Sequence, residues 1–150
     1  MDLLEQMAAE RACERLLYRY AQHVDFGEAA RVAELFTEDA VWLGADGRGV
    51  YGRTEIRAAF GARAALTRRQ SRHVMTNVVV DVSSADEAAG IAYLINYRHD
   101  SDTGEAEHPA PAGHPKFVGE YHLEFSRVKG KWLITSLRFN MAFLRHRSRS

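Results

Sequence analysis

The chain is 150 residues long, 46% hydrophobic and 27% charged, a size and composition suited to one globular domain spanning 1–150 with a buried core. Lys+Arg and Asp+Glu each number 20, so the formal charge is zero. That argues against nucleic acid as a partner and against general attraction to anionic membranes, because both need a basic excess.

Residues 4–24 carry Cys13, Leu16, Leu17, Tyr20 and Val24 at the spacing of one buried helical face. Asp25-Phe26-Gly27 closes that helix. Residues 28–36 predict a second short helix with Val32, Leu35 and Phe36 on its apolar side, and Thr37-Glu38-Asp39 a turn. Strands follow at 40–44 and 48–51, around the turn signal Ala45-Asp46-Gly47. Thr54 is the expected N-cap of a third helix reaching Ala65, with Ile56, Ala59 and Phe60 buried.

The second half predicts four long strands at 70–82, 88–99, 116–128 and 131–143. Val74, Thr76, Val78, Val80 and Val82 alternate onto one face, and His73, Met75, Asn77 and Val79 onto the other. The loop from Asp100 to Pro115 holds all three prolines and is expected either over a pocket mouth or against a neighbouring subunit. Helices first and a meandering sheet after them predict α+β packing, with a cavity between the curved sheet and the long helix.

The single cysteine, Cys13, allows no intramolecular disulfide and reads as a small buried hydrophobe. Met1 to Gln6 lack the pattern of a signal peptide, and no apolar run reaches membrane-spanning length, so the expected location is cytoplasmic. The basic tail Arg145-His146-Arg147-Ser148-Arg149-Ser150 reads as a solvated terminus.

Several strings in order sharpen the reading: YAQHVD (Tyr20–Asp25), LFTEDAV (Leu35–Val41), VYGRTEI (Val50–Ile56), RHVMTN (Arg72–Asn77), and GEY (Gly119–Tyr121) followed by GKWLI (Gly130–Ile134). With the element order, they resemble the nuclear transport factor 2-like superfamily, in its SnoaL-like branch, over residues 5–143. That branch includes polyketide cyclases, and the chain is also similar to scytalone dehydratase and hexachlorocyclohexane dehydrochlorinase. The resemblance implies a cone-shaped barrel, a curved and mainly antiparallel mixed sheet wrapped on three N-terminal helices. It also implies that Asp25 orients His73 as a base, that His99 stands near a second histidine position, and that Tyr51 matches one of two carbonyl-holding tyrosines. Val24 replaces the other, and Gly119 and Tyr121 lie near the dehydratase's late polar pair, so the dehydratase substrate is not carried over.

Elimination or isomerisation without a cofactor needs a base near neutrality, for which histidine serves, with a carboxylate to fix its tautomer. His73 is either that base or a histidine filling the wall. Asp25 is its partner or a helix-terminal turn residue. His99 either donates to a developing oxyanion or ends a strand in solvent, and Asn77 either orients substrate or bonds backbone. Tyr20, Trp42, Tyr51, Phe60, Met75, Tyr97, Tyr121, Phe139 and Met141 are candidate cavity walls, each also explicable as core; buried Tyr20 and Tyr121 would need partners for their hydroxyls.

Five of the seven histidines, His73, His99, His108, His114 and His122, show no metal-ligand spacing, and no phosphate loop or nucleophile elbow appears, so no metal and no cofactor are expected. The expectation is a lyase or isomerase of dehydratase or cyclase type acting on a small, largely apolar cyclic compound. The alternative is a non-catalytic small-molecule-binding or assembly module of the same fold. An outer sheet face including Val74, Val78 and Val80 predicts a homodimer or homotrimer.

Overall fold

A computed structural model describes residues 1–146. Helix α1 (Leu3–Asp25) starts where the Asp2 carboxylate accepts the Glu5 N–H at 2.8 Å and the Glu5 carboxylate accepts the Asp2 N–H at 2.9 Å. This reciprocal pair satisfies two amides that a helix start leaves open. The predicted stripe, with Ala9 added, is buried along α1. At its end Phe26 N–H returns to Gln22 O, and Gly27, at φ 81°, supplies the left-handed turn out.

The second helix is a 3₁₀ helix, Ala29–Leu35, burying Ala29, Val32 and Ala33. The sequence predicts Phe36 as the end of this helix, but it opens strand β1 (Phe36–Leu43), and the expected turn at Thr37-Glu38-Asp39 is strand as well. The pairing register slips between Phe36 and Val41, and this irregularity accommodates the three polar residues that disguised the strand. The Phe36 carbonyl is taken by the Arg53 guanidinium at 2.7 and 2.9 Å.

After β2 (Gly49–Tyr51), helix α2 (Arg53–Ala64) begins one residue before the expected cap. Gly52, at φ 86°, holds the N-cap position, and Thr54 lies inside the first turn. Ile56 and Phe60 are its buried side chains.

Strands β3 (Arg69–Val82), β4 (Glu87–Asp100), β5 (Phe117–Val128) and β6 (Lys131–Leu144) form the meander. The sheet order is β2-β1-β6-β5-β4-β3, with only β1 and β6 parallel. The fold is α+β with three helices and a mixed six-stranded sheet; β2 and β3 remain as edges, so the sheet does not close into a barrel. Helix α1 packs against β3 and β6, and the core lies between it and the inner sheet face, where Ala92, Leu94, Phe125, Ile134 and Leu137 are fully buried.

A bulge between Thr76 and Val79 breaks the expected alternation on β3. Asn77 sits there at φ 51°. An extra residue reverses the parity beyond it, so Val74 is 44% exposed while Val80 is only 7% exposed. The outer patch expected from Val74, Val78 and Val80 is instead Val74 and Val79, with Ile91, Tyr93 and Tyr97 from β4. Val78 packs on the core.

The proline-bearing loop is tied back to the chain. Thr67 Oγ1 donates to Gly104 O at 2.7 Å, Ala106 N–H to Thr67 O at 3.0 Å, and Arg145 to His114 O at 3.0 Å. Of the basic tail, Arg145 and His146 are described, and the remainder lies outside the described residues. Among those residues no helix is long and apolar enough to cross a membrane.

Candidate active site

Asp25 is the last residue of α1, where the helix dipole disfavours a negative charge. Three contacts offset that. Its Oδ2 accepts the backbone N–H of His73 at 2.8 Å, its Oδ1 accepts the Ser71 hydroxyl at 2.8 Å, and the same Oδ1 lies 2.6 Å from His73 Nδ1. The Asp25 and His73 side chains are only 5% and 13% exposed. A carboxylate can only accept, so the Asp25 contact calls for the proton on Nδ1 and leaves the Nε2 lone pair free. His73 Nε2 has no protein partner among the described residues, and the ring lines a cavity of about 550 Å³. Behind the carboxylate, Arg63 Nη2 donates to Ser71 Oγ at 2.9 Å, so a chain of hydrogen bonds runs from α2 through β3 to the end of α1.

One side of the cavity is aromatic. Tyr20 meets Phe60 and Tyr121 edge-on, at centroid distances of 5.7 and 5.8 Å, and Trp42 meets Phe60 at 5.8 Å. Tyr121 leans on Phe139 at 5.3 Å. These are favourable aromatic geometries. The Tyr20 hydroxyl accepts from Trp42 Nε1 at 3.2 Å, beside the Tyr121 ring. Burial pushes the Tyr20 phenol up to about 12 and raises Tyr121 well above its ordinary value, so both stay protonated donors.

The other end is polar. Asn96 stands directly opposite His73 on β4 and is 1% exposed; its Nδ2 reaches Arg72 O at 3.5 Å, and its Oδ1 has no partner. Arg63, Arg69 and Arg98 line the same end. The Arg69 guanidinium grips Asp100 through two bonds of 2.7 and 2.9 Å, which draws the Asp100 carboxyl down to about 2. Burial lowers the pKa of Arg63 and of Arg98.

Of the residues singled out from the sequence, His73, Tyr20, Trp42, Phe60, Tyr121, Phe139 and Met141 line this cavity, with Asp25 behind His73. Five do not. On β4 the inward positions are even-numbered, as Asn96 and Arg98 show, so Tyr97 and His99 point the other way. Both border a smaller cavity of about 260 Å³ beside the proline-bearing loop, where His99 Nε2 lies 3.4 Å from Glu107. Tyr51 is on the short edge strand and 60% exposed. Met75 is partly buried against the core and does not line the cavity, and Asn77 is in the bulge, accepting from Thr76 Oγ1 at 3.0 Å. The loop itself contributes no residue to the large cavity.

Sequence reasoning missed Ser71, Asn96 and the three arginines. Ser71 was within reach, since it lies two residues before His73 and so shares its strand face. Asn96 and Arg98 depended on the pairing register of β4 with β3. No group of three or more His, Cys, Asp or Glu side chains that could hold a metal ion occurs among the described residues.

A family model described as SnoaL-like domain matches residues 5–138. No curated protein sequence matches. Among solved structures, one provisionally assigned as a scytalone dehydratase, from Novosphingobium aromaticivorans DSM 12444, is 21% identical over 97% of this chain and 93% of that one, with a TM-score of 0.79. The hexachlorocyclohexane dehydrochlorinase LinA-type3 from Novosphingobium barchaimii LL02 is 18% identical over 96% and 93%, at a TM-score of 0.75. An NTF2-like protein with a cystatin-like fold from Novosphingobium aromaticivorans is 22% identical over 93% and 84%, at 0.74. At these identities the structures share the fold.

Proposed function

The chain belongs to the SnoaL-like domain family, and from that premise we propose that it is a lyase or isomerase of dehydratase or cyclase type that abstracts a proton from a small cyclic compound. One observation carries the reading: Asp25 Oδ1 lies 2.6 Å from His73 Nδ1, while the His73 ring, its Nε2 unpartnered among the described residues, lines an open cavity. In this reading Nε2 takes a proton from carbon, and the C–H electron pair forms a new double bond as a neighbouring group departs with its electrons or an adjacent carbonyl pair moves onto oxygen. Asp25 keeps the ring in place and steadies the imidazolium that forms. Tyr20 already accepts from Trp42, and in this reading its own O–H polarises a ligand carbonyl or a departing oxygen. The unpartnered Asn96 Oδ1 offers an acceptor for a ligand hydroxyl. Water loss, ring closure and double-bond migration share this first step, and the chain's own groups suffice for it, with no cofactor. The LinA-type and dehydratase neighbours, by their names, belong to eliminating chemistry, which favours the same reading.

The test is to screen small cyclic alcohols, ketones and halides for turnover and to compare wild type with His73→Ala. The expected loss in kcat/KM is about 10²- to 10⁴-fold. Turnover by the variant at the parental rate would overturn the proposal. Tight ligand binding with no turnover by wild type would leave a binding module of the same fold in its place.

A further inference from the structure

Two of the three cavity arginines are engaged. Arg69 is forked onto Asp100, and Arg63 is bonded to Ser71 and, through it, coupled to Asp25. The Arg98 guanidinium has no hydrogen bond or ion pair among the described residues. It is half-buried; burial and the nearby charges of Arg69 and Arg145 work against its protonated form, and Asp100 offsets part of that. A guanidinium in such a place is unsatisfied until an anion meets it. Neither nearby carboxylate pairs with it directly: Asp100, which attracts it from a distance, is gripped by Arg69, and Asp46, which lines the cavity, is 3.1 Å from Arg48 and largely exposed.

We propose that Arg98 receives a carboxylate carried by the cyclic ligand, so that the natural ligand is a ring acid with an apolar body against Tyr20, Trp42 and Phe60 and its charge against β4. The planar fork of a guanidinium matches a carboxylate with two parallel bonds. Arg98 is opposite Ser71 and His73 is opposite Asn96, which makes Arg98 and His73 diagonal neighbours across the β3–β4 pair. Their backbone positions are therefore about 7–8 Å apart. A ligand of one or two rings spans that gap with its acid at Arg98 and its reacting carbon at His73. This revises the expectation of a largely apolar ligand, and it rests on the reading of this cavity as the ligand site.

The probes are 2-naphthoate and its neutral isostere 2-naphthamide, titrated by calorimetry into wild type, R98Q and R98K. Naphthoate is expected to bind wild type about tenfold or more tightly than the amide. R98Q should abolish that preference and R98K keep part of it, with unchanged circular dichroism in both. The Arg98 Nε–Hε resonance of ¹⁵N-labelled wild type should move with naphthoate and not with naphthamide, a readout that stands even if R98Q fails to fold. Equal or tighter binding of the amide, a preference that survives in folded R98Q, or an Arg98 resonance that ignores bound naphthoate overturns this inference and leaves the cavity reading intact. Failure of both probes to bind wild type overturns both.

Discussion

Ser71 holds two functions in one hydroxyl, accepting from Arg63 and donating to Asp25. Ser71→Ala leaves a half-buried guanidinium and a buried carboxylate each one bond short. The expected result is a stability loss of about 1–3 kcal/mol in urea titration, with kcat reduced more than KM is raised, because the base is steered less well. The phenols give a prediction in pH. Tyr20 is held up to about 12 by burial, against 10.0 ordinarily. The unfolded chain therefore ionises first as pH rises, so this stability is complete below about pH 10 and is lost as pH climbs toward 12. Melting temperatures recorded between pH 8 and 12 should fall in that window, and less steeply for Tyr20→Phe. The Asp25–His73 pairing is 48 residues apart in the chain, so spacing alone could not expose it; it was legible only through resemblance to a family whose fold brings those positions together.

The element that decides the site is β3, and its bulge was not legible as such. A run of valines at alternate positions reads as one straight face, and only the asparagine, a residue that tolerates φ above zero, marks where the run slips. Asn77→Gly should leave stability within about 0.5 kcal/mol, whereas Asn77→Val should cost about 1–3 kcal/mol, because a β-branched side chain resists that backbone. Equilibrium urea unfolding of the two variants separates these outcomes. The same parity argument explains β4. Its ends were read within a residue or two, yet His99, offered by resemblance as a second site histidine with a solvated strand end as the alternative, could not be assigned a face because the phase of the strand relative to β3 is not fixed by sequence; the register puts Asn96 across from His73.

At the scale of the whole molecule, the order of helices and strands was readable because period and turn residues mark each element. The openness of the sheet was not, since closure depends on curvature summed over six strands. The outer face carries Val74, Val79, Ile91, Tyr93 and Tyr97 in exposed positions. We propose that a second or third copy of the chain covers it. Light scattering at micromolar concentration should give the mass of a homodimer or homotrimer, and Tyr93→Lys should reduce that mass; a monomer in the parent protein would refute the idea.

The backbone amide of His73 turns away from β4, outward from the sheet, and the Asp25 carboxylate occupies it. That contact has a consequence apart from the proposed chemistry. A fourteen-residue border strand is a template on which stray chains can grow by cross-β addition, and here the end of a helix is lodged in the template. Removing the oxygen at position 25 would therefore bare a backbone donor on that border, and Asp25→Ala is expected to aggregate more readily than the parent chain in a turbidity assay.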